Sequence, residues 1–215
     1  MDIKSHLTQL SNQNNLPPSH IQYLQKLKYD GFNPNVIYDI GSCVLNWTKE
    51  AKKIWPHSTF ILFDGFSDAE FLYKNYLYSI CILSDKPKTI RWYENSYYPT
   101  GNSYYRENNS NIFPENKYIE KMTTTLDDIV ALKNYPLPDL VKIDVQGSEK
   151  DIITGGKNTL KNSKHLIVEM QHMDYNLGAP KVLETLPFIE MFLECKCVAP
   201  LFCNNGVDGD YGFSK

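Results

Sequence analysis

The sequence predicts a doubly wound α/β domain: a mostly parallel seven-stranded sheet covered by helices, closed by a C-terminal antiparallel hairpin. Three observations carry this prediction. From residue 36 onward, short β-branched and apolar runs alternate with amphipathic stretches, the pattern of parallel strands joined by crossover helices. Several of those runs end in an acidic residue at a turn, as in Asp39-Ile40-Gly41, Asp64-Gly65 and Asp144. At 215 residues the chain is long enough for one substantial core, so 1–215 is read as a single domain, with a helical flank or lid over 1–33 and the core over 34–215.

The elements follow in order. Residues 2–12 and 19–29 have helical spacing and are separated by Asn14-Asn15-Leu16-Pro17-Pro18; Ser19 is a candidate N-cap and Gly31 a candidate stop. Strands are expected at 36–40, 59–64, 78–83, 89–93, 140–144 and 165–171, each bounded by turn residues. Helices are expected near 46–55, 67–75, 126–133, 148–155 and 181–193. Two further strands, 196–202 and 211–214, flank Asn204-Asn205-Gly206-Val207-Asp208-Gly209, whose glycines suit a hairpin turn. Between Glu94 and Asn116 lies a polar, Tyr-rich loop, long enough to carry function.

Composition removes several function classes. A formal charge of −3 offers no broad basic surface, which argues against a nucleic-acid partner. No stretch approaches the ~20 apolar residues of a membrane span, and the polar opening segment leads to the expectation of a cytoplasmic protein. The five cysteines (Cys43, Cys81, Cys195, Cys197 and Cys203) form no Cys-x-x-Cys pair and are read as reduced structural thiols.

The candidate chemistry sits at strand ends. In Val36-Ile37-Tyr38-Asp39-Ile40-Gly41-Ser42-Cys43, an apolar strand reaches an acidic residue and a glycine just before a helix. This is either a ligand-binding turn at a topological switch point or an ordinary tight strand-to-helix turn. A pyrophosphate cradle would need G-x-G-x-x-G, and Cys43 and Asn46 stand where its later glycines belong, which disfavours a dinucleotide. Asp64 follows Gly41 by 23 residues, near the ~20 expected of a ribose-binding carboxylate; capping the next helix is the alternative. At Ile82-Leu83-Ser84-Asp85, Leu83 can cover an adenine and Asp85 accept from its amino group, or Ser84 and Asp85 simply open a surface turn.

The most specific segments are Thr123-Thr124-Thr125-Leu126-Asp127-Asp128, then Lys142-Ile143-Asp144-Val145-Gln146-Gly147, then Leu166-Ile167-Val168-Glu169. With the Asp39-Ile40-Gly41 turn, their order resembles the FkbM family of S-adenosylmethionine (SAM) dependent O-methyltransferases. That family is typified by an Asp-Val-Gly-Ala-Asn turn, a Thr-Leu-Asp-Asp element, a Lys-Ile-Asp-Val-Glu-Gly strand end and a later strand ending in Glu. The resemblance spans residues 36–171 and implies the class I, Rossmann-like methyltransferase fold, with methyl transfer to a hydroxyl of a sugar or glycan, or of a small natural product. Leu45 stands where the family's second glycine is expected, Asp64-Gly65 replaces Glu-Pro, and Gln146 replaces Glu. Leu45 motivates a rival reading, a non-catalytic binding module that keeps the sheet.

On the methyltransferase reading, Asp39, Gly41, Ser42, Asp64, Gly65, Ser84, Asp85, Asn102, Ser103 and Asp144 are the cofactor-binding candidates. Methyl transfer needs an oriented hydroxyl and a route for its proton. Asp144, Glu169 and His172 are candidate bases, with His172 favoured by its intrinsic pKa. Asp144 and Glu169 can alternatively hold Mg²⁺ or Mn²⁺, or make structural contacts. Lys142, in an otherwise apolar strand, either pairs with a carboxylate or reaches the reaction centre. Gln171, Tyr175 and Asn176, with Tyr104 and Arg106 from the long loop, are candidates for contacting a small-molecule or carbohydrate acceptor; solvated loop tyrosines are the alternative.

Overall fold

The computed structural model describes residues 2–13, 16–204 and 206–215, with the side chains of residues 199 and 201–204 set aside. In chain order, α1 (Ile3–Ser11) and α2 (Pro18–Tyr29) precede β1 (Val36–Ile40), α3 (Asn46–Ile54), β2 (Thr59–Asp64), β3 (Leu77–Ile80), β4 (Ile82–Leu83), β5 (Thr89–Trp92) and β6 (Ile119–Thr124). The second half comprises α4 (Leu126–Lys133), β7 (Leu140–Ile143), α5 (Glu149–Gly155), α6 (Lys157–Leu160), β8 (His165–Gln171), α7 (Val182–Leu193), β9 (Lys196–Asn204) and β10 (Asp208–Ser214).

The main sheet has the order β3-β2-β1-β7-β8-β10-β9. β3, β2, β1, β7 and β8 run parallel, and β10 turns antiparallel against β8 and β9. Every residue of β1 and β7 is buried, as befits central strands covered on both faces. One face packs Ile37, Leu62, Leu140 and Ile167 against α1, α2 and α3; the other packs Tyr38, Phe63, Val141 and Val168 against α4 to α7. Since the chain winds outward from β1 to β3 and then returns to β7, the order reverses between β1 and β7. A crevice opens at their carboxyl ends.

Several expected elements take different forms. The 67–75 helix is a short 3₁₀ turn, Ser67–Leu72. The 78–83 strand divides at Cys81: its amide still bonds the Asp64 carbonyl (2.8 Å), while Ile82 and Leu83 leave the main sheet to pair with Thr123 and Thr124. The 89–93 strand does not extend the main sheet either. β5 pairs antiparallel with β6, a strand absent from the sequence reading because Glu120 and Lys121 interrupt its apolar character, and the two form a small sheet with β4. β10 begins at Asp208, so the hairpin connection is tighter than expected; Asn205 of that turn, like Asn14 and Asn15, lies outside the described residues. No helix among the described residues is long and apolar enough to cross a membrane.

Candidate active site

The turn after β1 is built around Gly41. Its φ is +82°, and a Cβ there would lie 1.8 Å from the Asp144 carbonyl oxygen, so only glycine allows β1 and β7 to end this close together. Cys43 (φ 44°) and Leu45 (φ 70°) also occupy the left-handed region. Leu45 thus adopts the backbone shape that glycine would supply, at an expense of about 1–2 kcal/mol. Its side chain turns into the core and is 3% exposed, so the departure from the family pattern leaves the crevice open.

Two adjoining cavities occupy the crevice. The first, about 240 Å³, lies over β1, β2 and β4 and is walled by Asp64, Gly65, Ile82, Leu83 and Trp92, with Asn102 on its far side. The Asp64 Oδ2 accepts the Cys43 amide (2.7 Å) and Oδ1 accepts the Phe66 amide (2.8 Å). Each oxygen keeps further lone-pair capacity for an incoming donor. Burial pushes the Asp64 carboxyl up to about 6, against the two amides that favour its charge. A Cβ on Gly65 would meet Ile82 and the Trp92 ring, so this glycine keeps the slot open. Asn102 Oδ1 accepts the Asn95 amide (2.7 Å), while its buried Nδ2 makes no hydrogen bond among the described residues.

Where the first cavity meets the second, Gly41, Cys43, Thr100, Asp144 and Glu169 form a shared wall. Lys142, Asp144 and Glu169 lie on one sheet face because alternate residues of a strand do so, and the register brings β7 and β8 into line. Lys142 Nζ sits 3.1 Å from Asp144 Oδ2, 3.6 Å from Asp39 Oδ1 and 3.3 Å from the Gly41 carbonyl. Burial opposes the Lys142 charge, but Asp144 and Asp39 overcome it and hold its pKa above the ordinary lysine value. Burial likewise opposes the Asp144 charge, yet Lys142 and a hydrogen bond from Glu169 hold its carboxyl below the usual range. Burial, and then the neighbouring Asp144 charge, push the Glu169 carboxyl well above its usual range. Gln146 Nε2 bridges Asp144 Oδ1 (3.1 Å) and Glu169 Oε2 (2.6 Å).

This arrangement does not fit the expected divalent ion. Asp144 is already paired with Lys142, Gln146 bridges the two carboxylates, and among the described residues no group of three or more His, Cys, Asp or Glu is placed to hold a metal. Other expected site residues also stand elsewhere. Asp39 is fully buried beneath the turn, accepting from Thr48 and facing Lys142. Ser42 lines the second cavity. Ser84 and Asp85 turn away from both cavities into a network with Tyr104, Lys88 and Asp151, because β4 has left the main sheet. Ser103 donates to the Gln146 carbonyl (2.8 Å), Arg106 to the Phe113 carbonyl (3.1 Å) and Asn176 to the Tyr105 carbonyl (2.9 Å). Gln171 clamps the loop after β8 through Asn176 and Ala179, and Tyr175 is hydrogen-bonded to Glu107. All five shape loops rather than line either cavity. His172 is three residues after Glu169 and so projects on the opposite face, where its Nε2 lies 2.8 Å from the Tyr211 hydroxyl.

As site residues, the sequence reading passed over Trp92, Gln146 and the part of the second cavity's lining made by His20, Asn46, Trp47, Asp208 and Asp210. Trp92 closes a strand and precedes Glu94, which accepts its indole N–H (2.8 Å); an aromatic at a strand end was the available signal. The second cavity, about 410 Å³, is walled by His20 of α2, Asn46 and Trp47 of α3, Lys142 of β7 and Asp208 and Asp210 of β10, elements that only the tertiary fold brings together.

The sheet order, with its reversal and the crevice above it, defines the fold of the class I SAM methyltransferases. A model of the methyltransferase FkbM domain matches residues 39–199, about three quarters of the chain, and the protein belongs to that family. The 2-O-methyltransferase NoeI of Sinorhizobium fredii (strain NBRC 101917 / NGR234) is 31% identical over 91 residues, 41% of this chain and 34% of that protein, so the match spans about a third of the relative's length. Among solved structures, the O-methyltransferase from Bacillus cereus in complex with S-adenosylhomocysteine (SAH) superposes with a TM-score of 0.53 at 14% identity, covering 100% of this chain and 92% of that one. The N-methyltransferase NodS from Bradyrhizobium japonicum WM9, also with SAH, gives a TM-score of 0.50 at 11% identity, covering 100% and 99%. At these identities the likeness concerns the fold.

Proposed function

We propose that the protein is a SAM-dependent O-methyltransferase acting on a hydroxyl of a sugar or glycan. The observation that carries this reading is the first cavity, whose walls supply complementary parts for an adenosyl group beside an acidic strand end. Asp64, its oxygens oriented by the Cys43 and Phe66 amides, is placed to accept from two ribose hydroxyls. Ile82, Leu83 and Trp92 form an apolar slot for the adenine, and the unpartnered Asn102 amide supplies a donor at its edge. Asp144, paired with Lys142 at the mouth of this cavity, is the carboxylate that would stabilise the cation of a sulfonium.

When bound, SAM supplies a methyl group activated by positive sulfur. The protein's part is to align a hydroxyl with that carbon, keep water out and take the proton. Family membership and the NoeI match, to a protein described as a 2-O-methyltransferase, support oxygen as the acceptor atom. A carbohydrate is favoured because the neighbouring cavity is lined by carboxylates and amide groups suited to several hydroxyls. The cytoplasm is the proposed location. Isothermal titration with SAM and SAH tests the reading: micromolar binding of both is expected, and no binding of either excludes it.

A further inference from the structure

The second cavity holds polar groups with nothing to satisfy them. Both ring nitrogens of His20, Asn46 Oδ1 and Trp47 Nε1 are buried without a hydrogen bond among the described residues, and all three residues line this one space. Buried polar groups are nearly always paired, so a cluster of orphans around a cavity calls for a hydrogen-bonding ligand. The His20 side chain is 2% exposed, and its Nε2 faces Asp210 Oδ1 at 3.5 Å. Asp210 is fixed opposite Glu169 by the β8–β10 register, on the same sheet face as Lys142 and Asp144. The cavity meets the first at Gly41, Asp144 and Glu169, beside the proposed sulfonium position.

We propose that this second cavity receives the acceptor, a neutral glycoside, and that His20, oriented by Asp210, takes the proton from its reacting hydroxyl. The inference rests on the SAM-dependent reading given above. With Nε2 turned to Asp210, Nδ1 remains to accept a proton; long apo contacts of this kind tighten when substrate binds. The hydroxyl oxygen bonds the methyl carbon as the carbon–sulfur bond breaks, its electron pair staying on sulfur, and the hydroxyl's proton passes to Nδ1. The positive charge thereby moves from sulfur to the imidazolium beside Asp210, and water later removes the proton. Asp144, Glu169, Asp208 and Asp210 face the space with Lys142, a balance that rejects phosphorylated or carboxylated acceptors.

The test uses radiolabelled SAM with methyl glycosides of glucose, mannose, galactose and fucose, and with the matching sugar phosphates. Turnover of a neutral glycoside over its phosphate is expected. His20→Ala and His20→Gln should each lower kcat by 10²- to 10⁴-fold while leaving the SAH Kd within twofold, and free imidazole should partly restore His20→Ala. Asp210→Asn should lower kcat less and move the acid limb of the pH–rate profile downward, an effect loss of packing alone would not produce. The groups facing His20 in that profile are Asp208, Asp210, Lys142, Asp144 and Glu169. Undiminished turnover in both His20 variants overturns the base assignment. If no glycoside is methylated, the His20 ring resonances of the SAH complex decide: a shift on adding a glycoside supports the acceptor site, and no shift overturns it. Failure of wild-type protein to bind SAM or SAH instead overturns the underlying reading.

Discussion

Replacing Asp64 by alanine removes the carboxylate proposed to accept from both ribose hydroxyls. Hydrogen bonds to a charged group are worth about 1.5–3 kcal/mol each, so even one lost bond weakens SAH binding by about tenfold to a hundredfold. The variant also leaves the Cys43 and Phe66 amides without their 2.7 and 2.8 Å partner, so melting temperature is measured alongside. Asp64→Asn, which keeps one acceptor oxygen, should fall between wild type and alanine. Acidity gives an independent reading. Burial lifts the free protein's Asp64 to about 6, and the ionised form is the one that accepts from the ribose. Affinity is therefore full above that value and falls by about tenfold for each pH unit below it, until the bound-state pKa is reached. Calorimetric titration of SAH from pH 5 to 8 checks this. A flat pH dependence, together with unchanged affinity in Asp64→Ala, refutes the ribose assignment.

Other consequences follow from neighbouring residues. Glu149, buried under the turn after β7, accepts the Val145 and Gly147 amides, and burial pushes its carboxyl up to about 7. Because the folded value exceeds the unfolded one, its stability contribution is present below the unfolded value and lost as pH rises through about 7. Glu149→Gln keeps an acceptor and should be more stable than wild type at pH 8, by up to about 3 kcal/mol, converging with it near pH 4; thermal melts across pH check the sign. Gly41→Ala should lose about 2 kcal/mol or more of stability together with SAH binding, because its Cβ meets the Asp144 carbonyl at 1.8 Å; an unchanged melting temperature contradicts the close approach. Trp92→Ala should raise the SAH Kd about tenfold while Trp92→Phe changes it little, and equal effects from both would remove the ring from the adenine slot. His172→Ala should leave turnover near wild type, since that ring pairs with Tyr211 across the sheet from the crevice.

The strands at 36–40, 59–64 and 165–171, and the carboxylates that close them, were legible because a buried parallel strand must be apolar until it reaches the crevice. Gly41 stood out as the glycine between an apolar strand and a helix, and Asp64 by its 23-residue offset from it; both line the first cavity. The Thr125-Leu126-Asp127-Asp128 motif was legible as a family mark, but its job is structural: Thr125 Oγ1 accepts the Asp128 amide (3.0 Å) as the cap of α4, and Asp127 takes the Thr159 amide (2.8 Å). His172 was misplaced for want of a parity count, since an odd offset from Glu169 reverses the face.

The sequence by itself determined the alternating architecture, the acidic strand tips and the Gly41 turn that lets β1 and β7 end close together, because these are properties of local pattern and backbone shape. The tertiary structure alone decided which side chains share a space. His20 and Asp210 are separated by 190 positions, and Ser84 and Asp85 turn away because a strand changes sheets. Register and long-range packing arise from burying both sheet faces at once, and no single segment encodes them.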